Sequence, residues 1–175
     1  MQKGKSARKK GDEGEHFVAD YLKSLGFLTE IHPRTMRMVR NKSGQSFYIS
    51  IDNDFHNCFD VKGERHDCMI YAQVKVELAR GKANMSRAES HIDREYPHQF
   101  PYQRIQVWQV WKDWVHIPGE TRHKEFRFRV QERKGFHDSK TWQFEGVFFK
   151  KGIWIDVSPE ELLPVGDFEI SNLKE

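Results

Sequence analysis

Two short segments of this chain carry side chains that could do chemistry together. Asp60 lies in residues 59–63, and Gln73 and Lys75 lie in residues 71–76. If the two segments form a β-hairpin, Asp60 lies opposite Gln73, and Lys75 shares their face because strand side chains alternate. A carboxylate, a second oxygen donor and an ammonium group on one face are the parts of a metal-dependent phosphodiesterase.

A helix predicted over residues 11–26 supplies a fourth candidate, Glu15. Its apolar residues recur at helical spacing, and Gly26 provides the stop. Glu15 falls on the same side as Val18 and Leu22, so we expect it to face the core, where a lone charge is costly. A metal ion or polar side chains would compensate it. The alternative is a surface glutamate favoured by the helix dipole.

These residues predict a divalent-cation site of the Mg²⁺ type, in which Mn²⁺ would substitute. Asp60 would be the principal ligand, Gln73 and the backbone carbonyl of Val74 would add oxygen donors, and Glu15 would reach the ion directly or through water. Lys75 would orient the attacking water and offset developing negative charge. Asp52, Asp54 and Asp67 are rival ligands, but each lies in a turn-like context.

The rest of the chain predicts an α/β domain around a mixed sheet. A short strand over residues 27–31 precedes a mobile loop over residues 32–45. A second helix is expected over residues 86–96. Further strands are expected over residues 46–51, 104–111, 124–132, 141–149 and 152–157.

Bulk composition fits one soluble domain with local positive charge. The 175 residues carry a formal charge of only +3, and no apolar run is long enough for a membrane span, so we expect a cytoplasmic protein. Residues 1–10 form a basic leader before the domain of residues 11–175. A solvated face is the alternative for each of the cations expected to contact nucleic-acid phosphates: Lys9, Lys10, Arg34, Arg37, Arg40 and Lys42.

The two cysteines raise the possibility of zinc. His56-x-Cys58 and His66-x-Cys68 have metal-ligand character. The predicted hairpin, however, leaves His66 and Cys68 near its turn and points the two thiols to different faces. We therefore expect reduced thiols and no zinc.

The order of these parts resembles the archaeal-type Holliday junction resolvases of the PD-(D/E)xK nuclease superfamily. The resemblance rests on Lys10-Gly11-x-x-x-Glu15, Leu25-Gly26-Phe27, the Asp60 strand, the Gln73-x-Lys75 strand and the helix after it. It covers roughly residues 10–117. Residues 120–175 would be a β-rich C-terminal extension with no counterpart, and they could thicken a dimer, cover an edge strand or widen the DNA-contacting surface.

This resemblance implies a restriction-endonuclease-like sheet flanked by helices, in a homodimer that nicks four-way DNA junctions with Mg²⁺ or Mn²⁺. Glu15, Asp60, Gln73 and Lys75 become the active site. Gln73 departs from the glutamate usual in these resolvases, which removes one negative charge that Glu77 could replace. The alternatives are a related endonuclease acting on duplex, flap or ended DNA, and a DNA-binding module without catalysis.

Overall fold

The computed structural model describes residues 3–32, 34–52, 54–77, 83–144 and 146–162. A six-stranded mixed sheet forms the centre, in the order β1-β4-β5-β6-β7-β8, beside a separate two-stranded β2-β3 sheet. The helices are α1 (Lys3–Ser24) and α2 (Ala83–Glu95), and a 3-10 turn covers Glu160–Leu162. The strands are β1 (Leu28–Ile31), β2 (Arg34–Arg40), β3 (Ser46–Asp52), β4 (Val61–Glu64), β5 (Met69–Val76), β6 (Gln103–Val115), β7 (His123–Phe144) and β8 (Val147–Val157). The predicted α/β class with a mixed sheet is confirmed.

The pairing of β4 with β5 has the register predicted from the sequence. Val61 pairs with Ala72, and the Asp60 amide donates to the Ala72 carbonyl at 2.9 Å. Extending this register by one residue places Asp60 opposite Gln73. The β5 and β6 strands run parallel, with α2 as the crossover between them, and the other neighbouring strands of the sheet are antiparallel.

The two helices cover opposite faces of the sheet. Val18 and Leu22 of α1 pack with Ala72 and Val74 of β5 in one core cluster. The side chain next to Ala72 along β5, that of Tyr71, points to the other face and packs with α2 in the second cluster. Because strand side chains alternate, Gln73 and Lys75 share the α2 face with Tyr71.

Helix α1 ends where the sequence predicts. Gly26 has a φ of 85°, and its amide donates to the Lys23 carbonyl while the Phe27 amide donates to the Leu22 carbonyl. These two bonds form a Schellman motif, which requires the left-handed conformation that glycine adopts without strain. The start of α1 was predicted wrongly. The helix begins at Lys3, so the described part of the basic leader is helical.

The segment predicted as a mobile loop, residues 32–45, instead contains β2 and the turn of a hairpin, and the strand predicted over residues 46–51 is confirmed as β3. In the turn of this hairpin, the side-chain oxygen of Asn41 accepts hydrogen bonds from the backbone amides of Ser43 and Gln45, and Gly44 has a φ of 82°. Met38, Phe47 and Tyr48 are all largely exposed. Because Met38 pairs with Tyr48 and Val39 with Phe47, exposed apolar groups lie on both faces of the hairpin.

The C-terminal strands belong to the main sheet. β7 pairs with β6 over eleven residue pairs, and β8 pairs with β7, so these strands cover what would otherwise be the β6 edge. The single strand predicted over residues 141–149 is wrong, because β7 ends at Phe144 and β8 begins at Val147. Residues 163–175 of the predicted extension lie outside the described part of the chain.

A buried ion pair fastens α2 to these strands. Arg133 of β7 donates to Asp93 of α2 at 3.3 Å and to the Tyr96 carbonyl at 2.9 Å. Asp93 also accepts the amide of Gly152 at 2.7 Å. Arg133 and Asp93 are both at least 99% buried, so the pair depends on these additional hydrogen bonds to offset its desolvation.

Replacing Gly152 with alanine is expected to destabilise the fold by about 2–4 kcal/mol. A Cβ at this position would lie 2.5 Å from Asp93 Oδ1 and 2.9 Å from Arg133 Cδ. Urea unfolding of Gly152→Ala and Gly11→Ala measures the difference. Gly11 is the control, because its added Cβ would meet nothing closer than 3.9 Å. Equal unfolding midpoints for both variants and the unmodified protein would show that the packing of Gly152 against the Arg133–Asp93 pair does not stabilise the fold.

Candidate functional site

Asp60 lies at the junction of β4 with the loop before it, and it is 93% buried. The Gln73 side-chain amide donates to Asp60 Oδ2 at 2.5 Å, and the Val74 backbone amide donates to the same oxygen at 2.6 Å. Two donors on one oxygen fix the orientation of the carboxylate. They are positioned by the β4-β5 register, which therefore also determines where Asp60 points.

Burial raises the pKa of Asp60 above its ordinary value. The Val74 hydrogen bond, the Lys75 ammonium and the Gln73 hydrogen bond act in the opposite direction, while Asp54 adds to the rise. The net increase means that the ionised carboxylate is undercompensated by its protein neighbours. A divalent cation beside Asp60 would supply the missing positive charge.

Three potential metal ligands converge at this carboxylate. One ligand atom each from Glu15, His32 and Asp60 lie within 4.8 Å of one another. Glu15 comes from α1, His32 follows β1, and Asp60 precedes β4. Donors about 2.1 Å from one ion lie at most about 4.2 Å apart, so an adjustment below about 1 Å would let all three share a cation.

A close approach of α1 to the sheet positions Glu15. A Cβ on Gly14 would lie 2.2 Å from Val76 Cγ2 and 3.6 Å from Val74 Cγ1. Only glycine allows the helix backbone this close to the end of β5. Glu15 is half-buried as predicted, and the sequence placed it correctly on the side of the helix that meets the sheet.

His32 was not predicted as a site residue. It was included in the segment read as a basic loop, whereas its imidazole is 95% buried. Its Nδ1 lies 3.2 Å from the Asp60 carbonyl, and its backbone amide donates to that same carbonyl at 2.9 Å. A histidine that directly follows a predicted strand and precedes a proline was the available signal.

Gln73 and Val74 contact Asp60 through nitrogen rather than oxygen. The sequence predicted that the Gln73 side chain and the Val74 carbonyl would each offer an oxygen ligand to a metal. In this geometry the Gln73 amide nitrogen faces the carboxylate, and the Val74 contact is its N–H. Glu77, considered as a replacement for the missing charge, accepts the Gln109 side-chain amide at 2.9 Å.

An open cleft of about 730 Å³ lies beside these residues. Gln73 and Lys75 line it together with four residues of α2 that follow one helical face: Arg87, Ser90, His91 and Arg94, with Ala88 at its floor. The Arg87, His91 and Arg94 spacing is i, i+4, i+7, which puts the three side chains in one row. Arg94 donates to His91 Nδ1 at 2.9 Å and pairs with Glu95 at 2.7 Å. None of these α2 residues was predicted as a site residue, although their spacing is visible in the sequence.

The predicted nucleic-acid contacts lie on α1 and on the β2-β3 hairpin. Lys9 and Lys10 are exposed on α1, and Lys10 lines a second, smaller cleft of about 140 Å³ with Glu77. Arg37 and Arg40 are exposed on the β2 strand, and Lys42 is exposed in the hairpin turn. Arg34 belongs to β2, but its side chain lies outside the described residues.

Cys58 and Cys68 are not grouped with the nearby histidines as metal ligands among the described residues. Burial raises the pKa of both the Cys58 and the Cys68 thiols, which disfavours the thiolate that zinc binds. The His56 ring packs 4.8 Å from the ring centre of Tyr96. Among the described residues, the three-ligand group that forms is Glu15, His32 and Asp60.

Comparisons with known proteins return no match. No family model, curated protein or solved structure is similar to this chain at a significant level. Among the described residues, no helix is both long and apolar enough to cross a membrane. The site's geometry is therefore the basis for any functional conclusion.

Asp60→Asn is expected to remove divalent-cation binding while leaving the metal-free protein at least as stable at neutral pH. The raised pKa means that folding favours the protonated carboxyl, so ionised Asp60 costs stability. This cost is absent below the ordinary pKa of about 3.9 and grows as pH rises through the raised value. Asparagine keeps an oxygen acceptor for Gln73 and Val74 without the charge.

Urea unfolding in a chelator at pH 3.5 and pH 7 checks this expectation. The stability difference between the variant and the unmodified protein should move in favour of the variant as pH rises. A variant that is markedly less stable at pH 7 than the unmodified protein would show that the Asp60 charge is fully compensated within the protein.

Proposed function

We propose that this protein is a metal-dependent DNA endonuclease with a restriction-endonuclease-like core. The observation that carries the proposal is the convergence of Glu15 and Asp60, together with the hydrogen bond from Gln73 to Asp60. Gln73 and Lys75 in turn line a cleft that also holds Arg87 and Arg94. When the separate β2-β3 hairpin is left out, the main sheet and its helices follow an α-β-β-β-α-β order up to β6, and this order with a parallel β5-β6 pair supports the fold part of the proposal. We propose branched DNA, and four-way junctions in particular, as the substrate.

Each residue has a role that follows from its place. Glu15 and Asp60 would hold a divalent cation, which polarises the scissile phosphate and lowers the pKa of bound water. Gln73 and the Val74 amide keep Asp60 in one orientation. Lys75, whose ammonium lowers the pKa of Asp60, is near enough to stabilise negative charge that develops at the phosphate.

Two groups of cations would bind the DNA backbone. On α2, Arg87 and Arg94 share a cleft with Lys75, so they lie where phosphates flanking the cut would pass, and His91 between them accepts a hydrogen bond from Arg94. The β2-β3 hairpin carries Arg37, Arg40 and Lys42 with no acidic residue between Arg34 and Ile51. Phosphate contacts position a duplex without reading its sequence, which suits an enzyme that selects DNA by shape.

Two copies of this chain would act together on a junction. A four-way junction has two equivalent strands to cut, and a two-fold symmetric homodimer presents one site to each. The expectation of a homodimer comes from the resemblance, and sedimentation of the protein with and without a junction measures it.

Lys75→Ala is expected to reduce cleavage about 10²–10³-fold and to leave junction binding nearly unchanged, since the ammonium acts on charge in the transition state. Lys62→Ala is the matched control, because Lys62 also sits on the β-ribbon but pairs with Glu64 at 2.9 Å. Single-turnover cleavage and gel-shift binding on the same junction measure both effects. If Lys75→Ala cleaves as fast as Lys62→Ala, Lys75 takes no part in catalysis.

The same assay run on a four-way junction, a fork and a linear duplex at equal salt decides the substrate. Paired nicking of the junction supports a resolvase. Equal cutting of all three supports a general endonuclease with the same site. Junction binding without cleavage under any divalent cation would support the non-catalytic DNA-binding module, in which Gln73 serves only to hold Asp60.

Arg87→Ala is expected to weaken binding to all DNA shapes. It should also reduce the slope of log affinity against log salt concentration by about one. Arg37→Ala tests the hairpin in the same way. Lys140→Ala is the control, because Lys140 is an exposed cation on β7. Fluorescence anisotropy at several salt concentrations gives the slopes. If Arg87→Ala and Arg37→Ala give the same slope as Lys140→Ala, the DNA does not contact α2 or the hairpin.

A further inference from the structure

His32 gives the cluster a nitrogen ligand. Its Nε2 is buried with no hydrogen-bond partner among the described residues. A buried polar atom without a partner is costly, so its presence calls for a physical explanation. The position of the ring, with a ligand atom within 4.8 Å of both Glu15 and Asp60, provides one.

The hydrogen bond at the other ring nitrogen determines which atom can bind a metal. The Asp60 carbonyl oxygen can only accept, so Nδ1, at 3.2 Å, must carry the proton. In the neutral ring this leaves the lone pair on Nε2. An N–H to a backbone carbonyl at Nδ1 is the arrangement that orients metal-binding histidines and fixes their tautomer.

An ion pair with Asp54 explains the ring less well. Asp54 Oδ1 lies 3.8 Å from His32 Nε2, which is beyond hydrogen-bond distance. A protonated ring would therefore bury an N–H that no acceptor reaches.

We propose that Glu15, His32 Nε2 and Asp60 form a mixed nitrogen and oxygen site that prefers a first-row transition dication over Mg²⁺. This inference rests on the cation that the proposed function requires, and it reverses the preference expected from the sequence. Mg²⁺ is a hard ion that takes oxygen ligands, whereas imidazole nitrogen raises affinity for transition dications. Three protein ligands leave coordination positions open for water and a phosphate oxygen.

The negative charge of the site fits this class of ion. Glu15 and Asp60 contribute two carboxylates and His32 none, so a dication neutralises the pair. Gln73 in place of the expected glutamate then has a physical consequence. It keeps the total at two charges and uses its amide to hold Asp60, while His32 supplies the third ligand.

Metal binding measured without DNA tests the proposal. Mn²⁺ affinity by electron paramagnetic resonance of free ion, and Mg²⁺ affinity by competition, are compared in the unmodified protein, His32→Gln, Glu15→Gln and His66→Gln. We expect Mn²⁺ to bind at least about tenfold more tightly than Mg²⁺. His32→Gln should lose that gap, Glu15→Gln should weaken both ions while keeping the gap, and His66→Gln, in an exposed turn, should change nothing.

A spectroscopic signature complements the affinities. Pulsed resonance of bound Mn²⁺ should show coupling to an imidazole ¹⁴N, and the coupling should be absent in His32→Gln. Equal Mn²⁺ and Mg²⁺ affinities, a gap that survives in His32→Gln, or bound Mn²⁺ without nitrogen coupling would each overturn the proposal. Thermal unfolding of each variant in chelator confirms that it is folded before titration.

These measurements separate the two proposals. If the protein binds Mn²⁺ through His32 but cuts no DNA, the proposed metal site is supported and the proposed endonuclease function is contradicted. If the protein cuts DNA with Mg²⁺ as readily as with Mn²⁺, and independently of His32, the endonuclease function is supported and the mixed-ligand metal site is contradicted.

Discussion

The placement of the Asp60 carboxylate is the constraint on which the rest of the site depends. A charged group that is 93% buried requires compensation, and the protein provides it only in part. Gln73 and the Val74 amide bind one oxygen, but the pKa of Asp60 is still raised by burial. The protein thus tolerates an unfavourable charge at a position where a helix, a strand and a loop meet. Such a cost is characteristic of functional sites, where the charge is used for binding.

The surrounding architecture explains how this carboxylate is held. The β4-β5 ribbon brings Asp60 opposite Gln73, and Gly14 lets α1 approach β5 closely enough to bring Glu15 to the same place. On the other face, α2 is fastened to β7 and β8 by the Arg133–Asp93 pair. The C-terminal strands therefore support the helix whose cations line the cleft, although they contribute no residue to the ligand cluster.

The sequence predicted the parts of the site that depend on local spacing. The thirteen-residue offset between Asp60 and Gln73 gave the correct register, because a short hairpin leaves few alternative pairings. Helical periodicity gave the correct side for Glu15. The capping glycine, Gly26, gave the correct end of α1, whereas the basic residues before Gly11 hid an early start because no capping signal separates them from the helix.

The sequence failed where long-range packing decides. His32 looked like part of a cationic loop, since its burial comes from contact with Asp60, 28 positions away. Strand β2 was missed because its arginines and the turn residues after it resembled a loop, whereas its partner β3 was predicted. The extent of β7 was missed because its bulged second half lacks regular alternation. None of these features has a signal in spacing alone.

Anomalous diffraction from crystals grown with Mn²⁺ and a non-cleavable branched DNA tests the central claim most directly. The account predicts a manganese peak bonded to Asp60 and Glu15, with a phosphate oxygen of the DNA completing its coordination near Lys75. A manganese peak elsewhere in the protein, or DNA bound away from the cleft that Gln73 and Lys75 line, would contradict it.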